Sequence, residues 1–356
     1  MKIGIFDPYL DALGGGEKYM LTMAECLAKK HVVSVFWDSK EDVEKNVSRF
    51  SLDFSNVAID KNIFSPSVSS IKRFLATRKY DIIIFLSDGS IPLVGSKKLY
   101  LHFQFPVEWV KNGAGTSLKM KKVSQVICNS RFTASYIDKK FHNSSTVLYP
   151  PVDTLRAAPA TKKEKIILHV GRFAGISIEG DDYKKQQRMV EIFKKMVDSG
   201  LKDWQFVVAA SLREQEEEKF QQMEESANGY PIRFVKNSDN KDLWQYYNKA
   251  SIYWHASGLG EDLDKHPERA EHFGISTVEA MSAGAVPVVI KAGGQAEIVT
   301  DGVDGILWED EETFITKTLA VIHDDGLRTR LSEKAIMRAK DFTKERFCEQ
   351  IQKLVE

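Results

Sequence analysis

The strongest constraint on the fold is an alternation of short apolar strands with amphipathic helices along the chain. Each of these strands is apolar on both faces, which is typical of parallel sheets covered on both sides. The first set comprises KIGIF, VVSVFW, YDIIIFL, KLYLHF, QVICNS and STVLYPP. The first helix carries apolar residues on one face, namely Tyr19, Met20, Met23, Ala24 and Leu27. The pattern therefore predicts an α/β fold with parallel sheets.

The strand pattern restarts after a stretch rich in proline, alanine and lysine at 151–163. The second set comprises IILHVGRF, WQFVVAAS, IRFVKN, SIYWHAS and AVPVVI, with helices such as KKQQRMVEIFKKMVDSG between them. A chain of 356 residues also exceeds the usual size of a single core. We therefore predict two Rossmann-like domains, 1–155 and 156–339.

The overall charge is balanced, but its distribution is uneven. The 50 basic and 50 acidic residues cancel, which argues against a nucleic-acid partner. Residues 1–156 hold 22 Lys/Arg against 15 Asp/Glu, a net charge of +7, and the remainder has a net charge of −7. A basic first half can meet phosphates or an anionic membrane surface, and a solvated lysine surface is the alternative. The residues that suggest weak membrane binding lie in 103–122: Phe103, Phe105, Trp109, Lys111, Lys119, Lys121 and Lys122.

The cysteines and the apolar runs indicate the compartment. Cys26, Cys128 and Cys348 are far apart and odd in number, which suits a reducing cytoplasm and argues against a disulfide framework or a zinc site. We expect no leader, because strand-like sequence follows directly on Met1, and no apolar run approaches the ~20 residues that span a bilayer. We expect a cytoplasmic protein, at most peripheral at the cytoplasmic membrane face.

Two groups of residues follow predicted strands, where ligands bind in such sheets. Gly14–Gly16 lie between the first strand and the first helix, where the backbone can approach an anion closely, although a tight turn explains a glycine cluster equally well. Arg172 ends a strand, and Lys184 or Lys185 begins a helix. These cations could clamp a diphosphate or could simply be surface charges.

A third group is the stretch EHFGISTVEAMSAGAVPVV, residues 271–289. Gly274, Ile275 and Ser276 begin a helix whose N-terminus can hold phosphate. Glu279 lies inside that helix, where it can accept hydrogen bonds from vicinal hydroxyls. Glu271 lies in the preceding loop and would face a different part of the same ligand.

This stretch resembles the E-x7-E signature of the retaining glycosyltransferases of family 4. The resemblance extends over essentially the whole chain, through GGQAEIVTDGVDGIL, VGRF with its downstream lysine, ICNSRFTASYI, VLYPPVD and the glycine-rich first loop. It implies the GT-B fold, with two Rossmann-like domains facing across a cleft and a C-terminal helix, 340–356, returning to the first domain.

The resemblance also implies how a nucleotide-sugar donor is held. Glu279 would hold the ribose and Glu271 the hydroxyls of the donor sugar. The diphosphate would meet the backbone amides at the helix start, those of Phe273, Gly274 and Ile275. Arg172 and Lys184 would neutralise the leaving diphosphate, so neither a metal nor a cofactor is expected. Lys184 fits the family register better than Lys185.

Four further positions are assigned by the same resemblance. His102 would lie near the reacting sugar carbon, although a lone histidine at a strand end is more often structural. Gly15 and Gly16 would approach the diphosphate or the acceptor, and Val235 would lie near the base. Two loops that border this expected donor site, 173–183 and 258–270, are longer than is common in the family.

We therefore expect a retaining glycosyltransferase that moves a sugar from a nucleoside-diphosphate sugar to a hydroxyl of a sugar, glycan or lipid-linked acceptor in carbohydrate biosynthesis. One alternative is a non-catalytic subunit that binds sugar nucleotides. The other is a different reaction on the same fold, such as epimerisation or phosphorolysis. The sequence names neither the base, the sugar nor the acceptor.

Overall fold

The structure, a computed structural model, describes residues 1–12, 14–111, 113–158, 162–173 and 183–356. They form two compact units. The first contains Met1–Pro151 together with Lys344–Glu356, and the second contains Val152–Thr343. The sequence placed the boundaries after residues 155 and 339, whereas the structure divides the chain after Pro151 and Thr343.

The first unit is built on a seven-stranded parallel sheet with the order β3-β2-β1-β4-β5-β6-β7. Its strands are β1 (Lys2–Phe6), β2 (Val32–Phe36), β3 (Val57–Asp60), β4 (Ile82–Leu86), β5 (Lys98–Phe103), β6 (Gln125–Cys128) and β7 (Thr146–Val147). Its helices within this part of the chain are α1 (Gly15–Ala28), α2 (Lys40–Phe50), α3 (Ser70–Thr77), α4 (Ala114–Met120) and α5 (Arg131–Phe141).

The second unit is built on a six-stranded parallel sheet with the order β10-β9-β8-β11-β12-β13. Its strands are β8 (Glu164–Arg172), β9 (Gln205–Ser211), β10 (Ile232–Lys236), β11 (Ala250–His255), β12 (Val286–Ile290) and β13 (Ile306–Trp308). Its helices are α6 (Gln186–Asp198), α7 (Glu217–Ser226), α8 (Asn240–Lys249), α9 (Ile275–Ser282), α10 (Gln295–Ile298), α11 (Glu311–His323) and α12 (Asp325–Ala339). The two parallel sheets confirm the predicted fold class.

Apolar side chains cover both faces of the first sheet. One cluster joins β1 and β4 to the apolar face of α1, where Tyr19, Met20 and Met23 are fully buried. The other joins the opposite face of the sheet to α5 and includes Phe103 and Ile137. Burial on both faces explains why the strands are apolar runs rather than alternating ones.

The C-terminal helix α13 (Lys344–Val355) packs on α1 in the first unit. The ring of Phe347 meets Tyr19 edge-on at 5.0 Å, and the Lys344 ammonium lies 2.6 Å from a Glu25 carboxylate oxygen. A disulfide links Cys26 of α1 to Cys348 of α13. The helix therefore closes a loop with a sequence separation of 322 residues.

The disulfide bears on the expectation that the three cysteines suit a reducing cytoplasm. Cysteines this far apart in sequence give no sign of contact, because only the return of α13 to α1 brings them together. Disulfides persist in oxidising environments, so the cysteine count does not support the expected cytoplasmic location. No helix in the described ranges combines the length and the apolar character needed to cross a membrane.

Candidate active site

The candidate site lies where strand order reverses in the second sheet. From β8 the chain adds β9 and β10 in one direction, and β11, β12 and β13 extend in the other. The adjacent carboxyl ends of β8 and β11 therefore flank a crevice, the usual ligand site of such sheets. Arg172 is the last residue of β8, and His255 is the last residue of β11.

Glu271 is the centre of a buried polar cluster at this point. Its Oε2 accepts hydrogen bonds from Lys184 Nζ at 2.7 Å and from His255 Nε2 at 2.9 Å. The side chains of Lys184 and Glu271 are 15% and 20% exposed, so both charges are largely removed from solvent. The structure thus brings together two of the predicted site residues and adds His255.

The protonation states follow from these contacts. Burial favours a neutral Glu271, but the charge of Lys184 and the hydrogen bond from His255 outweigh it and hold the pKa of Glu271 well below its ordinary value. Burial also disfavours a charged Lys184, yet attraction to Glu271 raises the pKa of Lys184. At neutral pH the pair is a carboxylate and an ammonium.

His255 fixes one oxygen of that carboxylate. Burial lowers the pKa of His255, so the ring is neutral at neutral pH. A carboxylate only accepts, which assigns the proton to Nε2. The Nδ1 atom is buried and has no hydrogen-bond partner among the described residues.

Arg172 and Lys185, the cations on either side of Lys184 in the predicted site, have different surroundings. The Arg172 side chain is exposed, and its charge lies close enough to oppose protonation of Lys184. Lys185 instead donates to Glu261 Oε1 at 2.5 Å, and the other Glu261 oxygen accepts from Arg269 at 2.8 Å. Glu261 belongs to the long loop 258–270, so this network ties the loop to the start of α6. Most of the other long loop, 174–182, lies outside the described residues.

The helix α9 points its N-terminus at the same end of the sheet. Gly274 caps it with φ +117°, a conformation that favours glycine, and a Cβ there would lie 2.4 Å from Gln295 Nε2. Ile275 begins the helix and is partly exposed, whereas the Phe273 side chain is buried against Phe342. The first amides of a helix have no partner within it, so they are available to an anion.

Two glycines let the chain around Glu271 close up tightly. Gly294 N donates to Glu271 O at 2.7 Å. A Cβ on Gly293 would lie 2.2 Å from that oxygen, and one on Gly294 would lie 2.4 Å from Phe273 Cα. Gly293 and Gly294, which follow β12, therefore position the backbone of residues 271–273.

Glu279 lies one helical turn into α9 and is partly exposed. Its Oε2 accepts from the Tyr247 hydroxyl at 2.9 Å. Tyr253 does the same for the start of the helix, since its hydroxyl donates to Ser276 Oγ at 2.7 Å. Both tyrosine side chains are buried, so their hydroxyls hold the side chains of Glu279 and Ser276 from the core side of α9.

Val235 lies apart from this cluster. It is in β10, which β9 separates from β8, and its side chain is partly exposed. Its contact with a base stays a prediction. The other predicted site residues, Gly15, Gly16 and His102, belong to the first unit.

The glycine-rich turn of the first unit begins α1 with Gly15. Glu17 Oε2 accepts from Gly14 N at 2.7 Å, and Gln104 Nε2 donates to Gly16 O at 3.2 Å. A Cβ on Gly16 would lie 2.4 Å from Gln104 Oε1, so a larger residue here would displace the Gln104 side chain. Contact of Gly15 and Gly16 with a ligand stays a prediction.

His102 lies in β5 and is fully buried. Its ring stacks on Tyr19 at 4.3 Å between centroids, and its Nδ1 lies 3.2 Å from Ile127 O. Burial lowers the pKa of His102 to about 3, so the ring is neutral. Its role near the reacting carbon stays a prediction.

Sequence reasoning missed several polar residues that the structure places beside the predicted ones. His255 and Tyr247 contact the two acids of the signature, and Asp7 follows β1 with 1% exposure. Burial and the nearby charge of Glu17 raise the pKa of Asp7 to about 8. The one available signal was position, because His255 and Asp7 both come at the carboxyl end of a strand next to the reversal.

The segment 103–122 differs from its sequence interpretation. Phe103 is fully buried in β5 and cannot meet a membrane, so that part of the interpretation is wrong. Trp109 and Leu118 are 58% and 64% exposed. Among the described residues, no group of three or more His, Cys, Asp or Glu side chains is arranged to hold a metal. Metal independence stays a prediction.

Known proteins match the chain along its length. Residues 152–338 match the family described as Glycosyl transferases group 1, and residues 13–156 match Glycosyltransferase Family 4. A Campylobacter jejuni protein is 24% identical over 100% of this chain and 98% of its own length. It is named GalNAc-alpha-(1->4)-GalNAc-alpha-(1->3)-diNAcBac-PP-undecaprenol alpha-1,4-N-acetyl-D-galactosaminyltransferase.

Two further comparisons agree. The Neurospora crassa GDP-Man:Man(3)GlcNAc(2)-PP-Dol alpha-1,2-mannosyltransferase is 25% identical over 67% of this chain, which spans 47% of that relative. The crystal structure of Anabaena HepE in complex with UDP superposes with a TM-score of 0.76 at 17% identity, covering 100% of this chain and 99% of that one. Because the group 1 match alone spans more than half of the chain, the protein belongs to the glycosyl transferases of group 1 and is a glycosyltransferase with the GT-B fold.

Proposed function

We propose that the protein transfers a sugar from a nucleoside-diphosphate sugar to an acceptor hydroxyl with retention of anomeric configuration. The observation that carries this proposal is the Lys184–Glu271–His255 cluster beside the N-terminus of α9, at the carboxyl ends of β8 and β11. It combines a cation, an oriented carboxylate and the N-terminal amides of a helix within one crevice. These groups suit a diphosphate joined to a polyhydroxyl ligand.

The roles divide by position. Arg172, Lys184 and the α9 amides neutralise charge as it grows on the diphosphate. Glu271 has one oxygen held by Lys184 and His255, which leaves the other oxygen for sugar hydroxyls. Glu279, with one oxygen held by Tyr247, binds the ribose through the other.

The reaction needs no protein nucleophile. The bond from the anomeric carbon to the diphosphate oxygen breaks, the acceptor oxygen bonds to the same face of that carbon, and the departing phosphate oxygen takes the acceptor proton. Two protein cations do the work that a divalent metal does in other transferases. Activity should therefore survive EDTA, and strict dependence on magnesium or manganese would contradict this assignment.

The acceptor class is proposed from the relatives. The names of the Campylobacter and Neurospora proteins contain saccharides linked through PP to undecaprenol and to Dol. We extend this class of acceptor, a lipid-linked saccharide, to this chain. The excess of positive charge in residues 1–156 suits the phosphates of such a molecule.

Calorimetric titration of two variants tests the donor assignment, once a thermal-shift screen of UDP, GDP and ADP has identified the base. A charge-assisted hydrogen bond is worth ~1.5–3 kcal/mol, or roughly 10- to 150-fold in affinity. Glu279→Ala should weaken the bare diphosphate and the sugar nucleotide alike, whereas Glu271→Ala should weaken only the sugar nucleotide. Glu312→Ala removes an exposed carboxylate of α11 and is the matched control. Equal losses of diphosphate affinity in both site variants would contradict the division of roles.

A further inference from the structure

The helix α3 presents apolar side chains to solvent. Ile71, Phe74 and Leu75 are 73%, 38% and 56% exposed. Their spacing places all three on one face of the helix. A surface helix ordinarily turns such a face toward the core, so the orientation of α3 is the reverse of the usual one.

Polar contacts hold the helix in this orientation. Arg73, on the opposite face, donates to Ile63 O at 3.2 Å and to Val68 O at 3.3 Å. The hydroxyl of Thr77, the one fully buried residue of α3, donates to Arg73 O at 2.8 Å and accepts from Gly95 N at 2.7 Å. The outward apolar face is therefore fixed by the structure beneath it.

The loop between β4 and β5 packs against α3 and carries one more exposed apolar side chain. Gly95 packs so closely on α3 that a Cβ there would lie 2.4 Å from Phe74 O. Leu93, two residues earlier, is 42% exposed. We call the set Ile71, Phe74, Leu75 and Leu93 the α3 patch.

The charged residues between Asp60 and Asp81, the segment that carries α3, all have one sign. Residues 61–80 contain five Lys/Arg and no Asp/Glu. Lys72, Arg78 and Lys79 are exposed at or next to α3. Apolar side chains bordered by cations match a surface that combines hydrocarbon with phosphate. A second copy of this face would bring the same cations together, and like charges would repel.

We propose that the α3 patch docks on an anionic lipid bilayer. Its apolar side chains enter the interfacial region, and Lys72, Arg78 and Lys79 meet the lipid phosphates. The patch is separate in sequence from segment 103–122, whose own contact with a membrane stays a prediction. This proposal stands without the donor site, because it rests on exposure and charge alone.

Flotation with phosphatidylcholine vesicles containing phosphatidylglycerol tests the proposal. Ile71→Ser/Leu75→Ser should lower vesicle binding by about tenfold or more, since each side chain gives up burial of apolar surface. Val303→Ser/Met337→Ser removes two side chains of the second unit that are 50% and 61% exposed, and it should leave binding unchanged. Lys72→Gln/Lys79→Gln should weaken binding at low ionic strength and have little effect at high ionic strength.

Three results would overturn the proposal. The first is vesicle binding by Ile71→Ser/Leu75→Ser that equals the wild type, and the second is no binding by the wild type at low ionic strength. The third is a wild-type dimer that this variant converts to a monomer with vesicle binding intact, which would make the patch a self-association face. Thermal melting shows that each variant is folded, and unchanged diphosphate affinity separates this outcome from failure of the proposed function.

Discussion

At the scale of single residues, two adjacent lysines have different partners. Lys184 contacts Glu271, while Lys185 contacts Glu261 in the loop 258–270. Lys185 adopts φ +57°, the left-handed conformation, and this turn of the backbone sends the two side chains to different carboxylates. The sequence alone could not assign them, because both lysines precede the same helix.

The ion pair of Lys184 and Glu271 should contribute to stability. Lys184→Met leaves the Glu271 carboxylate largely buried, with the His255 ring as its side-chain donor among the described residues, so we expect the free energy of unfolding to fall by about 2 kcal/mol. Lys291→Met breaks a pair with Glu309 that is mostly exposed and should cost less than about 1 kcal/mol. Urea unfolding at neutral pH measures both, and equal costs would contradict the buried pair.

The same pair gives a pH dependence with a defined sign. The pKa of Glu271 is lowered on folding, so its contribution is present above the ordinary value of 4.5 and is lost as pH falls through the lower folded value. The pKa of Lys184 is raised, so its contribution is present below 10.5 and is lost as pH rises through the higher folded value. The stability difference between wild type and Lys184→Met should therefore shrink in acid below about pH 4. An unchanged difference at pH 3 would contradict this account.

At the scale of elements, the start of α9 depends on Gly274, which packs against the Gln295 side chain. Gly274→Ala places a methyl group 2.4 Å from Gln295 Nε2 at φ +117°, so both strain and a clash result. Gly302→Ala is a matched control, because its φ is +72° and its Cβ would meet nothing within 4 Å. We expect Gly274→Ala to cost about 2 kcal/mol or more and Gly302→Ala about 1 kcal/mol. Thermal or urea unfolding compares them, and equal costs would show that the clash with Gln295 is relieved.

The apolar runs predicted most of the strands, but two were missed for physical reasons. Strand β3 lies at the edge of its sheet, is at most partly buried and has only four residues, the last of them the charged Asp60, so its apolar run is short. Strand β13 has three residues, too few for a pattern to develop. Helix α6 begins at Gln186, two residues later than predicted, because Lys185 is left-handed.

Of the candidate site, the sequence could predict only the residues that belong to the family motif. Glu271 and Lys184 are 87 residues apart, and the family register, rather than any local pattern, placed them together. His255 and Tyr247 carry no motif, and their contacts arise from the neighbouring strand and helix. The sequence therefore could not predict which residues outside the motif contact Glu271 and Glu279.

At the scale of the whole molecule, the disulfide fixes the chain terminus to its beginning. Reduction, or Cys348→Ser, should lower the free energy of unfolding of the first unit by about 2–5 kcal/mol, because the unfolded chain regains the conformational freedom that the disulfide removes. Dithiothreitol should have no further effect on Cys348→Ser, which serves as the control. Guanidine unfolding with and without reductant measures this. Three reactive thiols in the denatured, unreduced protein would contradict the disulfide.

We propose that the Glu271 cluster holds the sugar during transfer. The most direct measurement is the release of nucleoside diphosphate from the sugar nucleotide in the presence of a lipid-linked saccharide, for wild type and for Glu271→Ala. We predict release by the wild type only when the acceptor is present. We expect a loss of about a hundredfold or more in Glu271→Ala, because charge-assisted contacts strengthen in the transition state. Full transfer by Glu271→Ala would contradict the account.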